Sequence, residues 1–155
     1  MVNINYIAMG GRNENKLYPI IKELYGEDLV KIEGRFAPFD YESPSHKIEL
    51  KSRDLKYNKY PTTMVGYNKI ELAKLEPTKK VVFLFAFLDG LYEWEYSDEN
   101  FEAIGGMGAV KSRTGYIKYN NTNFNPNKPH LYIPIEKLVK KSDLGGYSLN
   151  ECLVN

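Results

Sequence analysis

Sulfur and imidazole chemistry have little to work with in this chain: Cys152 is its one cysteine, and His46 and His130 are its two histidines, among 155 residues. A lone thiol has no intrachain partner, so no disulfide framework holds the fold, which suits a reducing compartment or one indifferent to redox state. Cys152 also stands so near the C-terminal end that a Cys/His nucleophile pair is a poor account of it. Long apolar runs are missing as well. The longest, 81–88, falls far below the roughly 18 residues of a membrane-spanning helix, and the N-terminal stretch has neither the basic nor the apolar region of a secretory leader. Together these absences predict a soluble, intracellular protein with no membrane association. The net charge is only +1, which argues against a protein that coats nucleic acid indiscriminately.

The charge that is present is unevenly distributed. Residues 89–102 hold six acidic side chains and no basic one, whereas 105–141 hold seven Lys or Arg against Glu136 alone. That pattern predicts a polarised surface, although solvated faces and loops produce charge blocks of this size too. The length fits one domain spanning 1–155, large enough to bury roughly two-thirds of the surface its unfolded chain exposes.

Along the chain, Leu17, Ile20, Ile21 and Leu24 recur at helical spacing, predicting a helix over 13–26 with Pro19 in its opening turn and Gly26 as its stop. From Asp28 the period changes to two, predicting an antiparallel meander of strands near 28–33, 36–42 and 46–53. Pro61-Thr62-Thr63 has the form of a helix entry, with Met64, Val65, Tyr67, Ile70 and Leu72 as the stripe of a second helix that Pro77 ends. The run 81–88 is expected as a buried central strand, and Asp89-Gly90 as a hairpin turn into 91–96. Beyond it come a glycine-rich turn at 105–108, strands near 109–119 and 130–134, and a short helix over 134–140. The order indicates an α/β or α+β fold, with helices packed on a mixed sheet.

The residues with the most chemistry are Asp40, Glu49 and Lys51. The pattern Asp/Glu-x-Lys occurs three times, at Glu14-Asn15-Lys16, Glu49-Leu50-Lys51 and Asp54-Leu55-Lys56, so the tripeptide alone carries no weight. Only Glu49-Leu50-Lys51 lies in an alternating apolar/polar run that follows an acidic strand residue. Alternation points Glu49 and Lys51 one way while Ile48 and Leu50 enter a core. Two carboxylates suffice for a hard cation such as Mg²⁺, which keeps several waters, and Lys51 can then orient a water or neutralise charge on phosphorus. An ordinary strand with charged residues on its exposed edge accounts for the same positions.

Taken together, the first helix with Glu14, then Phe39-Asp40, Ile48-Glu49-Leu50-Lys51 and the helix carrying Lys69 resemble the PD-(D/E)XK nuclease superfamily over roughly residues 12–96. That superfamily includes restriction enzymes, Holliday junction resolvases and phage exonucleases. The resemblance implies a restriction-endonuclease-like mixed sheet flanked by helices. It implies Asp40 and Glu49 as ligands of Mg²⁺ or Mn²⁺, with the backbone carbonyl of Leu50 as a third, and Lys51 as the catalytic lysine. Glu14 matches a helix glutamate that contacts a metal-bound water or a second metal. Lys69 matches a helix position near the phosphate, and Arg53 and Tyr60 take supporting places against substrate. Phe39 stands where the superfamily's name has proline, with Pro38 one step earlier. The stretch from Tyr60 to Lys69 also looks like that of nuclease-like proteins in large DNA viruses.

The implied activity is a metal-dependent DNA endonuclease leaving 5′-phosphates. In so small a chain DNA shape, such as a branch or nick, is a better target than a long sequence, and a homodimer would bring two sites to two strands. The alternative is a non-catalytic nucleic-acid-binding or scaffold protein retaining the fold, and RNA as substrate is a third. The glycine-rich segment is no Walker loop, because Val110 stands where the glycine before Lys111-Ser112 is required. A flexible turn is expected instead, for which the best functional use of Lys111, Arg113 and Lys118 with Tyr116 and Tyr119 interleaved is a loop gripping the DNA backbone, although both tyrosines fit plain strand positions equally well. Glu93 and Glu95 are expected on an acidic sheet edge that discourages further pairing, and His46 is expected to be incidental to the site.

Overall fold

The computed structural model describes residues 2–34, 37–112 and 128–144, with the backbone alone for 2–13. Within them the chain forms helices α1 (Val2–Tyr25), α2 (Tyr67–Leu75) and α3 (Asp98–Ala103). The strands are β1 (Val30–Lys31), β2 (Tyr41–Glu42), β3 (His46–Ser52), β4 (Thr62–Gly66), β5 (Lys80–Phe87), β6 (Gly90–Tyr96), β7 (Val110–Ser112), β8 (Pro129–Pro134) and β9 (Val139–Ser142). Six strands make a mixed sheet in the order β1-β2-β3-β5-β6-β9, and three make an antiparallel sheet in the order β4-β8-β7. The fold is α+β, and among the described residues no helix is long and apolar enough to cross a membrane.

Strand β5 divides the core. Its alternate residues Val82, Leu84 and Ala86 pack with Leu17 and Ile21 of α1 and with Ile48 and Leu50 of β3. The intervening Val81, Phe83, Phe85 and Phe87 pack with Ile70 and Ala73 of α2 and with Val65, Leu131 and Ile133 of the smaller sheet. Burial on both faces explains the unbroken apolar run, and the parallel pairing of β3 with β5 requires the crossover that β4 and α2 supply.

The antiparallel meander is present, with β1 paired to β2 and β2 to β3, but its first two strands are far shorter than the period implied. Pro38 has no N–H to donate, so the chain before Asp40 leaves the ladder. Helix α1 extends well ahead of the expected start, which places Pro19 inside it, on an exposed position, instead of in its opening turn. Gly26 does end it, at φ +126°, where an added Cβ would meet a carboxylate oxygen of Asp28 at 2.8 Å.

Three other expectations are corrected. The segment taken as a helix entry is strand β4, because Thr63 and Val65 point inward by alternation and pair with Ile133 and Leu131 of β8. The expected helix over 134–140 is a single 3-10 turn, Ile135–Lys137, followed by β9, which pairs with β6. Strand β6 is therefore paired on both sides as far as Glu93, which is not on a free edge, while Glu95 lies beyond the last pair with β9; the Tyr25 hydroxyl donates to Glu93 Oε1 at 2.5 Å. The hairpin turn falls on Leu88-Asp89, one residue early, with Phe87 opposite Gly90. Of the strand expected near 109–119 only Val110–Ser112 is seen, and Arg113, Tyr116, Lys118, Tyr119 and Cys152 lie outside the described residues.

Candidate functional site

The site forms where β2 ends and β3 continues. Asp40 is held at three points: its N–H donates to the Ile48 carbonyl at 2.9 Å and its own carbonyl accepts from Ile32 N–H at 2.8 Å. Its carboxylate Oδ2 accepts from Leu50 N–H at 2.8 Å. A longer β2 would offer a backbone carbonyl to that N–H; the Asp40 side chain takes its place. The N–H and C=O of one extended residue point to the same side of a strand. Leu50 therefore aims its carbonyl toward Asp40, as Ile48 does, whereas Arg53 N–H turns the other way, to Ala86 O at 2.9 Å.

Glu49 lies on the opposite face of β3 from Ile48 and Leu50, and only 5% of it is exposed. Its Oε2 is 3.1 Å from Lys51 Nζ and its Oε1 is 3.7 Å from Lys69 Nζ. Burial pushes the Glu49 carboxyl up and Lys51 partly offsets this, while the charge of Asp40 raises it further and Lys69 lowers it. Lys69, two residues into α2, also donates to the Pro38 carbonyl and sits 5.6 Å from the ring centroid of buried Phe39. The buried Phe39 ring is thus the platform on which Lys69 rests.

Glu14 reaches the same place from α1. Its carboxyl is pushed up to about 7, first by burial, then by a hydrogen bond with Asp40 and by the charges of Asp40 and Glu49, against a lowering by Lys31. The Tyr41 hydroxyl donates to the Glu14 backbone carbonyl at 2.6 Å, tying that turn of α1 to β2. Three carboxyl groups from a helix, a strand end and a central strand therefore raise one another's affinity for a proton, and for the same electrostatic reason would favour a cation. Among the described residues no three His, Cys, Asp or Glu side chains enclose a metal ion by themselves. Two carboxylates, the Leu50 carbonyl and solvent form an all-oxygen set, which fits an ion that keeps part of its water shell, such as Mg²⁺ or Mn²⁺.

The remaining expected residues divide. Arg53, two positions beyond Lys51 on the same side of the chain, donates from Nη2 to the Met64 carbonyl at 2.7 Å and from Nε to Thr63 Oγ1 at 3.4 Å. With Tyr60 it lines a cavity of about 470 Å³ at the end of β3. Lys111 is exposed on β7, opposite His130, which is in turn opposite Gly66. Two strand spacings, about 10 Å, thus separate it from the start of α2. His46 packs edge-on against Tyr25 at 5.4 Å and bonds Ser45 Oγ at 2.8 Å, at the other end of β3 from Lys51. Lys31, Tyr41 and Phe39 were not foreseen as parts of the site. Their links to it are long-range, to Glu14 and Lys69, and no local pattern pointed to them. In comparisons with known proteins, no family model, curated protein or solved structure matches the chain.

Proposed function

We propose that this chain is a metal-dependent deoxyribonuclease of the PD-(D/E)XK type, with a restriction-endonuclease-like sheet, acting on branched or nicked DNA. The observation that carries it is the meeting of Glu14, Asp40 and Glu49 beside Lys51 just ahead of β2, from three separate points of the sequence. Asp40, Glu49 and the Leu50 carbonyl would hold Mg²⁺ or Mn²⁺, which would supply an activated water and charge neutralisation at the scissile phosphate. Lys51, tethered to Glu49 at 3.1 Å, directs its ammonium to the attacking water or to the charge building on the phosphoryl oxygens. Lys69 holds Glu49 from the α2 side and keeps its own charge within reach of a phosphate. Glu14, whose carboxyl is raised by burial and by its hydrogen bond with Asp40, would approach a bound cation or its water from the α1 side. Hydrolysis then leaves a 5′-phosphate, and two copies of the chain serve the two strands of a duplex.

Supercoiled plasmid and a four-way junction, each incubated with Mg²⁺ or Mn²⁺ and again with chelator, test this directly. Metal-dependent nicking is expected, with a loss of about 10²-fold or more in Glu49→Ala and in Lys51→Met while both variants still bind DNA. Binding without any cleavage by the wild-type chain would instead identify a non-catalytic nucleic-acid-binding protein.

A further inference from the structure

The cavity beside Arg53 is not part of the acidic group, yet its position relates it to that group. It lies between the end of β3, the loop that follows it and the smaller sheet, with Arg53, Tyr57, Tyr60, Thr62, Phe87 and Tyr132 among its walls. At about 470 Å³ it has the size of small-ligand pockets, and like them it is mostly apolar with a few polar groups. Its walls are fixed in advance. Tyr57 stacks on Tyr92 with ring centroids 4.7 Å apart, and its N–H donates to Asp89 Oδ1 at 3.0 Å. Leu88 N–H donates to the Leu55 carbonyl at 3.0 Å, so the loop is pinned to the β5–β6 hairpin at two points. Arg53 is braced by Thr63 and Met64 and lies 5.8 Å from the Phe85 ring centroid. One wall differs: Tyr60 is 57% exposed, an aromatic ring standing at the mouth. Lys56 and Lys59, both exposed, lie on the same loop.

Aromatic walls, a fixed guanidinium and a lysine rim are what a nucleobase requires, with π-faces for stacking, donors for its ring and exocyclic acceptors, and cations for the adjoining phosphates. Distance selects the same ligand. An extended chain advances roughly 3.3 Å per residue, so the Cα atoms of Lys51 and Arg53 stand about 7 Å apart, within the span of one nucleotide. A base stacked in a duplex cannot enter, because reaching a pocket means leaving the stack.

We propose that this cavity receives one unpaired nucleobase of the DNA strand whose phosphate lies at Lys51. This rests on the nuclease reading and specifies its substrate as DNA with an unstacked nucleotide beside the cut. Tyr60 closes over the base, and Arg53 and Thr62 meet its edge.

The test is fluorescence anisotropy in chelator, so that no cleavage is needed. Three DNAs of one length are compared: a duplex with a bulge of unpaired nucleotides, the same bulge with abasic residues, and a fully paired duplex. The wild-type chain is expected to bind the base-bearing bulge about tenfold more tightly than the abasic one. Tyr60→Ala is expected to erase that preference while leaving affinity for paired duplex unchanged, and Tyr60→Phe to restore it. Equal affinity of the wild type for the two bulges overturns the pocket, as does an equal loss on all three DNAs in Tyr60→Ala. Plasmid cleavage with no preference between bulges would remove the pocket and leave the nuclease. Preference without cleavage would do the reverse, and failure to bind any DNA would remove both.

Discussion

Glu14 is the residue whose protonation links fold and chemistry. Its carboxyl, raised from 4.5 to about 7 by burial and by Asp40, keeps its proton in the folded state at a pH where the unfolded chain has lost it. The folded form therefore binds more protons between those two values, and the stability of the metal-free protein falls as pH rises through that window. Glu49, raised by burial, acts in the same sense. In chelator, the urea midpoint is expected to be higher at about pH 5 than at about pH 8 on this account, and Glu14→Gln to flatten the difference. Added Mg²⁺ should raise the midpoint more at the higher pH, where the carboxyls are free to ligate. At this scale the candidate acids and Lys51 were legible in the sequence because strand alternation fixes which neighbours share a face. The roles of Phe39 and Lys31 were not, since neither stands near its partner in sequence.

Among the elements, α1 and β3 do most to place the site. Helix α1 is held on the sheet by Leu17 and Ile21, both fully buried against Ile48, Leu50 and the inward residues of β5. Glu14 is less than one turn from Leu17, so its reach to Asp40 depends on that packing. Leu17→Ala is expected to cost about 2–5 kcal/mol, read from the denaturant midpoint. It should also weaken the pH dependence attributed to Glu14 by letting that end of the helix move. The stripe of α1, the unbroken run of β5 and the alternation of β3 were readable because each has one dominant period. Strand β4 was misread because Met64, Val65 and Tyr67 satisfy a helical stripe as well as a strand, and the partner that decides between them, β8, arrives some 60 residues later. Strand β9 was misread for the same reason: Val139–Ser142 is a strand because β6 has a side left to pair.

Across the whole molecule, charge blocks that are separate in the sequence become neighbours. The acidic β6 lies beside the lysine-bearing β9, with Tyr92 opposite Lys140 and Glu93 opposite Val139, and Lys137 shares a cavity wall with Glu93 and Glu95. The polarised surface expected from the sequence is reduced accordingly. On the nuclease reading, the exposed Lys56 and Lys59 beside the cavity are cations placed to meet DNA phosphates. Replacing both by Gln is expected to lower the slope of log affinity against log salt by about two and to weaken binding to every DNA alike. A titration at several salt concentrations measures this. The sequence by itself determined that helices pack on a sheet, leaving α/β and α+β open, and it determined the central strand, the two faces of β3 and the identity of the candidate acids, because these follow from periodicities confined to a few consecutive residues. Only the tertiary structure decided that β2 begins no earlier than Tyr41 and leaves Leu50 N–H to the Asp40 carboxylate, that Glu14 arrives beside them, and that β4 and β8 wall a cavity next to Arg53. Each of those depends on a partner far along the chain, and pairing between distant segments is settled by which hydrogen bonds and apolar faces remain unsatisfied once the local elements have formed.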